Sequence, residues 1–328
     1  MNITWPRRRG AQLLAVGLLL TVLPYLYSRL LSPSRSLLVF STAEAMAPAD
    51  AASQLRIVTY NIAHGRGLAA SNWEGGSPAT RHQRLSDIAD QLINLDADIV
   101  VLNEVDFDSS WSGHINQAKF LADRSAYPYR VEQRNLDFRV LGWTWRFGNA
   151  VLSKYPVSHA QTVDLPGYST WETLLVGKKR ALACNLEFGG QKFQLVAAHL
   201  SHRSEAVRVQ SARHIIQLAR ASGGPTVVAG DLNSTPPGLP NSKADSAGQN
   251  AIGVFDHSDL LRRSPREFLD GQNQLTFPAD QPSQAIDWIL APADWRFSDY
   301  RVVQSTLSDH RPVLADIALT ATRQDNEP

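Results

Sequence analysis

Short apolar runs that stop at a carboxylate, an amide or a histidine are what most limit the folds open to this chain. Thr226-Val227-Val228-Ala229 leads into Gly230-Asp231-Leu232-Asn233-Ser234, and Ala285-Ile286-Asp287 opens onto Trp288-Ile289-Leu290. Ser308-Asp309-His310-Arg311-Pro312 precedes Val313-Leu314. Runs of this length and composition read as buried strands. Asp, Asn and His at the ends of buried strands are costly unless they pair with one another or bind a metal. Three such endings imply strands that share one edge and form one polar site there.

The remaining pattern fits a mixed α/β chain. Leu55, Ile57 and Thr59 alternate with Val58, Tyr60 and Ile62, giving a strand that ends at Asn61. A Gly- and Ser-rich loop runs from Gly65 to Thr80, and Leu85, Ile88, Ala89, Leu92 and Ile93 then recur at helical spacing. Ile99 to Leu102 is a short buried strand that delivers Asn103-Glu104-Val105-Asp106. A less regular region with a helix near Ile115–Ala122 extends to Arg146. The next strand, Asn149–Leu152, stops at Lys154-Tyr155-Pro156. Ala181–Leu186 and Phe193–Leu200 read as a hairpin across Gly189-Gly190. Val209, Ala212, Ile216 and Ala219 mark a helix ended by Ser222-Gly223-Gly224-Pro225. Hairpin gaps mixed with helical crossovers predict two mixed β-sheets packed face to face with helices outside.

The first segment stands apart from this core. Arg7, Arg8 and Arg9 precede an apolar run from Ala11 to Tyr27, which reads as a signal anchor first and a cleaved secretory signal second. The arginines place that end on the cytoplasmic side, so the rest is expected to be exported and membrane-anchored. Residues 28–53, rich in Ser, Ala and Pro, read as a flexible tether that adds no strand, residues 54–320 as the catalytic domain, and 321–328 as a polar tail. Residues 1–47 hold five of the 32 basic residues and one of the 31 acidic ones, which leaves the remainder at −3. That balance argues against a non-specific nucleic-acid binder. Cys184, the one cysteine, is a core residue by its apolar neighbours and excludes an internal disulfide.

Taken singly, Glu104 is a strand-end carboxylate, Asp231 and Asn233 form an Asx turn, and Asp309-His310 is a turn before a strand. Hard-cation chemistry explains them together. Mg²⁺ or Mn²⁺ prefers oxygen ligands, often one or two carboxylates with a substrate phosphate. Glu104 and Asp309 supply the carboxylates, with Asn61 as a neutral oxygen or amide donor. Asp231 suits orienting and deprotonating a water, while Asn233 and Asn149 suit contacts to phosphoryl oxygens. Asp287 paired with His310 would fix one tautomer and favour the protonated form. His199 is a second candidate for contact with the phosphate or the leaving group.

The ordered series Thr59-Tyr60-Asn61-Ile62, Leu102-Asn103-Glu104-Val105-Asp106, Gly148-Asn149-Ala150-Val151-Leu152-Ser153, Ala198-His199-Leu200, Gly230-Asp231-Leu232-Asn233, Ile286-Asp287-Trp288 and Ser308-Asp309-His310-Arg311-Pro312-Val313 resembles the endonuclease/exonuclease/phosphatase family. The resemblance covers about residues 55–320. It implies a four-layer α/β/β/α sandwich with the site at one end of the two sheets. It places Asn61, Glu104 and Asp309 on the metal side, Asp231 and Asn233 at nucleophile and phosphate, and His310 with Asp287 as the catalytic pair. Asn103 stands where Gln is common and Trp288 where Tyr is common; neither change removes a charge.

The expected activity is hydrolysis of a phosphodiester or phosphomonoester, with a lipid headgroup favoured as substrate. An exported deoxyribonuclease is the alternative, and a non-catalytic binding module the reading from another class. His64 reads as a solvated or turn residue, with contact to the phosphate as its functional alternative, and Arg146 and Arg180 as surface arginines, with contact to an anionic substrate as theirs. Trp111, Trp143, Trp145 and Trp171 fit either satellite packing or an aromatic rim at the site mouth.

Overall fold

The computed structural model describes residues 7–31, 36–42, 54–140, 142–266 and 274–319. The expected C-terminal tail, 321–328, and the second half of the expected tether lie outside the described residues.

In chain order the elements are α1 (Arg7–Leu31), β1 (Leu37–Ser41), β2 (Gln54–Asn61), α2 (Pro78–Leu95), β3 (Ile99–Asp106), α3 (Gln117–Arg124), β4 (Tyr129–Val140) and β5 (Trp143–Ser153). There follow β6 (His159–Asp164), α4 (Thr170–Val176), β7 (Arg180–Phe188), β8 (Gln191–His199), α5 (Glu205–Ser222) and β9 (Thr226–Asp231). The last are α6 (Ala251–Asp256), β10 (Leu261–Arg263), β11 (Asp287–Pro292), β12 (Arg296–Val302) and β13 (Val313–Ala318). One sheet has the order β1-β4-β5-β3-β2-β13-β12 and the other β10-β11-β9-β8-β7-β6.

Alternation decides what each sheet buries. Leu55, Ile57, Ile99, Val101 and Val151 point inward from the first sheet and meet Leu182, Cys184, Leu195, Ala197, Val227 and Ile289 of the second. The opposite face of the first sheet, with Val58, Tyr60, Val100 and Leu102, packs on Ile88, Leu92 and Leu121 of α2 and α3. The opposite face of the second packs on Val209, Ala212, Ile216 and Phe255 of α5 and α6. The result is the expected four-layer α/β/β/α sandwich. Capping matches the sequence: Ser77 accepts from Thr80 N ahead of Pro78, and Ser204 accepts from Val207 N.

Two regions differ from the sequence reading. Residues 129–153, expected to be less regular up to Arg146, form one long antiparallel hairpin, β4–β5. Polar Arg130, Glu132, Gln133 and Arg134 hid the strand period there, and each is buried in the fold. The tether is also more structured than expected, because Leu37–Ser41 pairs antiparallel with β4 from Gln133 to Tyr129. Phe40 lies under the Arg130 guanidinium at 4.1 Å from the ring centroid. Among the described residues no helix is long and apolar enough to cross a membrane. Leu13, Leu14, Leu18 and Leu20 of α1 are nevertheless largely exposed.

Candidate active site

Strand register brings the polar groups together. His199 of β8 pairs in register with Asp231 of β9, and Asp231 pairs with Asp287 of β11, so the three lie side by side on adjacent strands. In the facing sheet Asn61 pairs with Asn103. Glu104 sits where β3 shifts register against β5, with φ of 51°, and this bulge re-aims its side chain. Gly230 is required by close approach: its φ is 142°, and an added Cβ would lie 1.8 Å from the carbonyl oxygen of Ala198. Asp309 and His310 arrive on the loop before β13, tied to β2 by the Ser308 hydroxyl, which donates to Asn61 O at 2.7 Å.

Asp231 is the centre of the arrangement and is 1% exposed. Asn61 Nδ2 donates to its Oδ2 at 3.0 Å, and the Asn233 backbone N–H donates to its Oδ1 at 2.9 Å. His199 Nε2 and His310 Nε2 lie 3.6 and 3.8 Å from Oδ2. His310 Nδ1 is 2.9 Å from Asp287 Oδ2, while Asp287 Oδ1 is buried without a partner among the described residues. A little apart, Arg66 joins Glu104 Oε2 at 3.1 Å to Asp309 Oδ2 at 2.6 Å.

Burial and neighbouring charge separate the proton equilibria. Burial, reinforced by Asp287 and Glu104, pushes the Asp231 carboxyl up to about 7 against the pull of His310. Burial opposes protonation of His310, but Asp287 and Asp231 outweigh it and raise its pKa to about 10. Burial and the Lys179 ammonium push His199 well below its ordinary value, so it is a neutral imidazole. Burial works to raise Glu104, yet His64 and Arg66 hold it well below the usual carboxylate range. The site therefore contains a carboxylate poised near neutrality with an imidazolium and a neutral imidazole each within 4 Å of it.

The sequence-predicted residues Asn61, Glu104, His199, Asp231, Asn233, Asp287, Asp309 and His310 are all joined by these contacts. Asn149 is close but engaged elsewhere: its amide donates to Gln133 Oε1 and Arg180 O, and its oxygen accepts from Asn103 Nδ2. It supports Asn103, which in turn accepts from the Asp231 N–H at 2.8 Å. His64 is not solvated. It is buried, 2.8 Å from Asp106 and 3.5 Å from Glu104, because residues 63–65 form a tight 3₁₀ turn under the sheet edge. Arg146 is buried among Asp108 and Asp137 rather than on the surface. Arg66 and Asp106 were missed as site residues; the signal was their position within segments already marked by Asn61 and Glu104. Trp111 and Trp145 stack at 6.2 Å beside the site, whereas Trp171 is exposed.

Among the described residues, two groups of side chains are candidates to hold a cation. Ligand atoms of Asp231, Asp287 and His310 lie within 4.8 Å of one another. Protonated His310 has no lone pair to offer, which makes that group an acid–base cluster. Glu104 and Asp309 already share one cationic group, the Arg66 guanidinium, and both offer the hard oxygen donors that Mg²⁺ or Mn²⁺ prefers.

Comparison with known proteins follows the same lines. The protein resembles in structure an endonuclease/exonuclease/phosphatase from Beutenbergia cavernae, with TM-score 0.61 and 24% identity over 82% of this chain and 72% of that one. It resembles a Bacteroides thetaiotaomicron mannosyl-6-phosphatase with TM-score 0.58 and 17% identity, over 81% of this chain and 100% of that one. The human Nocturnin catalytic domain gives TM-score 0.56 and 17% identity, over 83% and 97%. No curated protein sequence matches it. The Endonuclease/Exonuclease/phosphatase family model matches residues 58–310, a span that opens inside β2 and closes on His310. Members of that family are phosphoesterase hydrolases and typically depend on a divalent metal. With Asn61, Glu104, Asp231, Asp287 and His310 all inside the matched span and converging at one end of the two sheets, the chain belongs to the endonuclease/exonuclease/phosphatase family.

Proposed function

We propose that this protein is a metal-dependent phosphoesterase that hydrolyses a phosphodiester or phosphomonoester by in-line attack of water. The observation that carries the reading is Asp231, a buried carboxylate poised near neutrality and set between His199, His310 and Asn61. Such a group can take a proton from water at physiological pH. His310, held as an imidazolium by Asp287, donates from Nε2 to the phosphoryl oxygens as negative charge develops. Asn233 keeps Asp231 oriented through its backbone N–H and spends one amide proton on Leu200 O at 3.2 Å, leaving the other for phosphate. Asn61 acts as a donor, since its oxygen already accepts from Ala63 N. Neutral His199 faces the leaving-group side. Glu104 and Asp309 would hold Mg²⁺ or Mn²⁺, which supplies charge neutralisation at the phosphoryl oxygens.

For the substrate we favour an extracytoplasmic lipid headgroup over duplex DNA. The balance of −3 outside residues 1–47 gives no general attraction for a polyanion. Exposed leucines along α1 support attachment of the domain to a bilayer, as do Trp73 and Trp143, each about half-exposed. Initial rates on phospholipid vesicles and on plasmid DNA at matched Mg²⁺ test this, with Asp231→Asn as control. Turnover of vesicles, lowered at least about 10²-fold by Asp231→Asn, is expected. DNA cleavage without lipid turnover would make the protein a deoxyribonuclease, and no turnover of any phosphoester would make it a binding module.

A further inference from the structure

A cavity of about 440 Å³ opens beside Glu104 and His199, walled by Trp111, Trp145, Phe147 and Lys179. Its aromatic wall is held rigidly. Trp145 stacks on Phe138 at 5.4 Å with 10° between planes and on Trp111 at 6.2 Å with 19°. Trp111 Nε1 is fixed by Asp106 at 2.8 Å. The size suits one small molecule.

Lys179 is the unexplained group in this wall. Its ammonium makes no hydrogen bond or ion pair among the described residues. Both neighbours in the sequence are paired, Lys178 Nζ with Asp164 at 3.4 Å and Arg180 Nε with the same carboxylate at 2.8 Å. Glu172, a second carboxylate of the cavity wall beside Glu104, is engaged by Arg203 at 3.2 Å and by the Tyr168 N–H at 3.2 Å. Glu104 and Asp231 act on Lys179 only from beyond ion-pair distance, and burial lowers its pKa against their pull. A half-buried, unpaired ammonium is costly, and an incoming anion would offset that cost. The reacting phosphate is already provided for by His310, Asn233 and the cation-binding carboxylates on the Asp231 side. Lys179 therefore faces a different part of the substrate.

We propose that this cavity is a leaving-group subsite for a compact ring that carries a second anionic group, with the ring against Trp145, Phe147 and Trp111 and the anion on Lys179. The proposal rests on the phosphoesterase reading and narrows it. An aromatic wall alone would suit a quaternary ammonium headgroup. Lys179 in the same wall repels one, so the site selects anionic headgroups or bisphosphates over choline esters.

The test is calorimetric titration of the full-length Asp231→Asn protein in Mg²⁺ with myo-inositol 1,4-bisphosphate, adenosine 3′,5′-bisphosphate, choline phosphate and inorganic phosphate. At least one bisphosphate should bind about 30-fold more tightly than choline phosphate, and adding Lys179→Met should remove about 30-fold of that affinity. Lys179→Arg should restore most of it, which separates charge from a folding defect. Which bisphosphate binds decides between a polyol ring and a nucleoside. Equal binding of choline phosphate, or no bisphosphate binding, would overturn the subsite. So would a Lys179→Met loss as large for inorganic phosphate as for the bisphosphates, since Lys179 would then serve the reacting phosphate. Hydrolysis of bis-p-nitrophenyl phosphate by the unmutated protein, measured in parallel, reports on the phosphoesterase reading separately from these binding results.

Discussion

Replacing Gly230 by alanine should damage both the fold and the site, and the structure sets the size of the effect. The new methyl carbon would lie 1.8 Å from Ala198 O, where a carbon–oxygen contact needs about 3.3 Å. The paired strands β8 and β9 must therefore open by roughly 1.5 Å at Ala198↔Gly230. Opening forfeits about two ladder hydrogen bonds at about 1 kcal/mol each. Holding a residue with a side chain at φ 142° adds on the order of 1–3 kcal/mol. The total, about 3–5 kcal/mol, is a large share of the 5–15 kcal/mol that typically holds a domain together. The next residue is Asp231, so a displacement of about 1 Å should also cost about 10²-fold in turnover. Urea unfolding followed by tryptophan fluorescence gives the stability, with Gly224→Ala as control, because nothing lies within 4 Å of a Cβ there. Wild-type turnover with a midpoint within about 0.5 kcal/mol of that control would refute the steric argument.

Other expectations follow from the charges and the sheet edge. In EDTA, the raised Asp231 pKa contributes stability that is full below about pH 4 and is lost as the pH rises through about 7. Asp231→Asn should therefore melt progressively higher relative to wild type as the pH is raised from 4 to 8, and a constant difference would contradict this. Arg66→Ala should tighten Mn²⁺ binding about tenfold in calorimetry by freeing Glu104 and Asp309; weaker binding would mean that Arg66 supports the cation instead of competing with it. Deleting residues 1–31 should leave the melting temperature of the catalytic domain nearly intact. Deleting 1–47 should lower it by several degrees, because β1 and the Phe40–Arg130 contact go with it. Equal melting of the two truncations would show that β1 adds nothing.

Much of the site was legible because its residues end apolar runs. Asp231, Asp287 and Asp309 are each preceded or followed by a strand whose hydrophobicity is unmistakable, and the strand end fixes the side chain's address. His64, Arg66 and Arg146 were not legible for the opposite reason. Their local sequence does not set their burial, which depends on Asp106, Glu104, Asp137 and Asp309 arriving from elsewhere in the chain. The hairpin β4–β5 escaped for the same cause, since Arg130 and Glu132 bury as an ion pair at 2.9 Å and leave no alternation to read. Asn149 was found but given a different part, because a sequence cannot show that its amide is already spent on Gln133 and Arg180. The tether was read from composition, and composition does not reveal that β4 offers an open edge to Leu37–Ser41.

The side-by-side placement of His199, Asp231 and Asp287 makes the reaction centre a gauge of strand alignment. Each residue depends on its neighbour's reading frame, since a one-residue slip turns a side chain to the opposite face. A single insertion or deletion within β8, β9 or β11 would therefore displace the reacting groups and the core-facing residues of that strand together. Loops between those strands can lengthen freely as long as the frame is kept. Changes of length are thus tolerated in the loops, one of which carries Lys179, and not in the ladder that aligns the reacting groups.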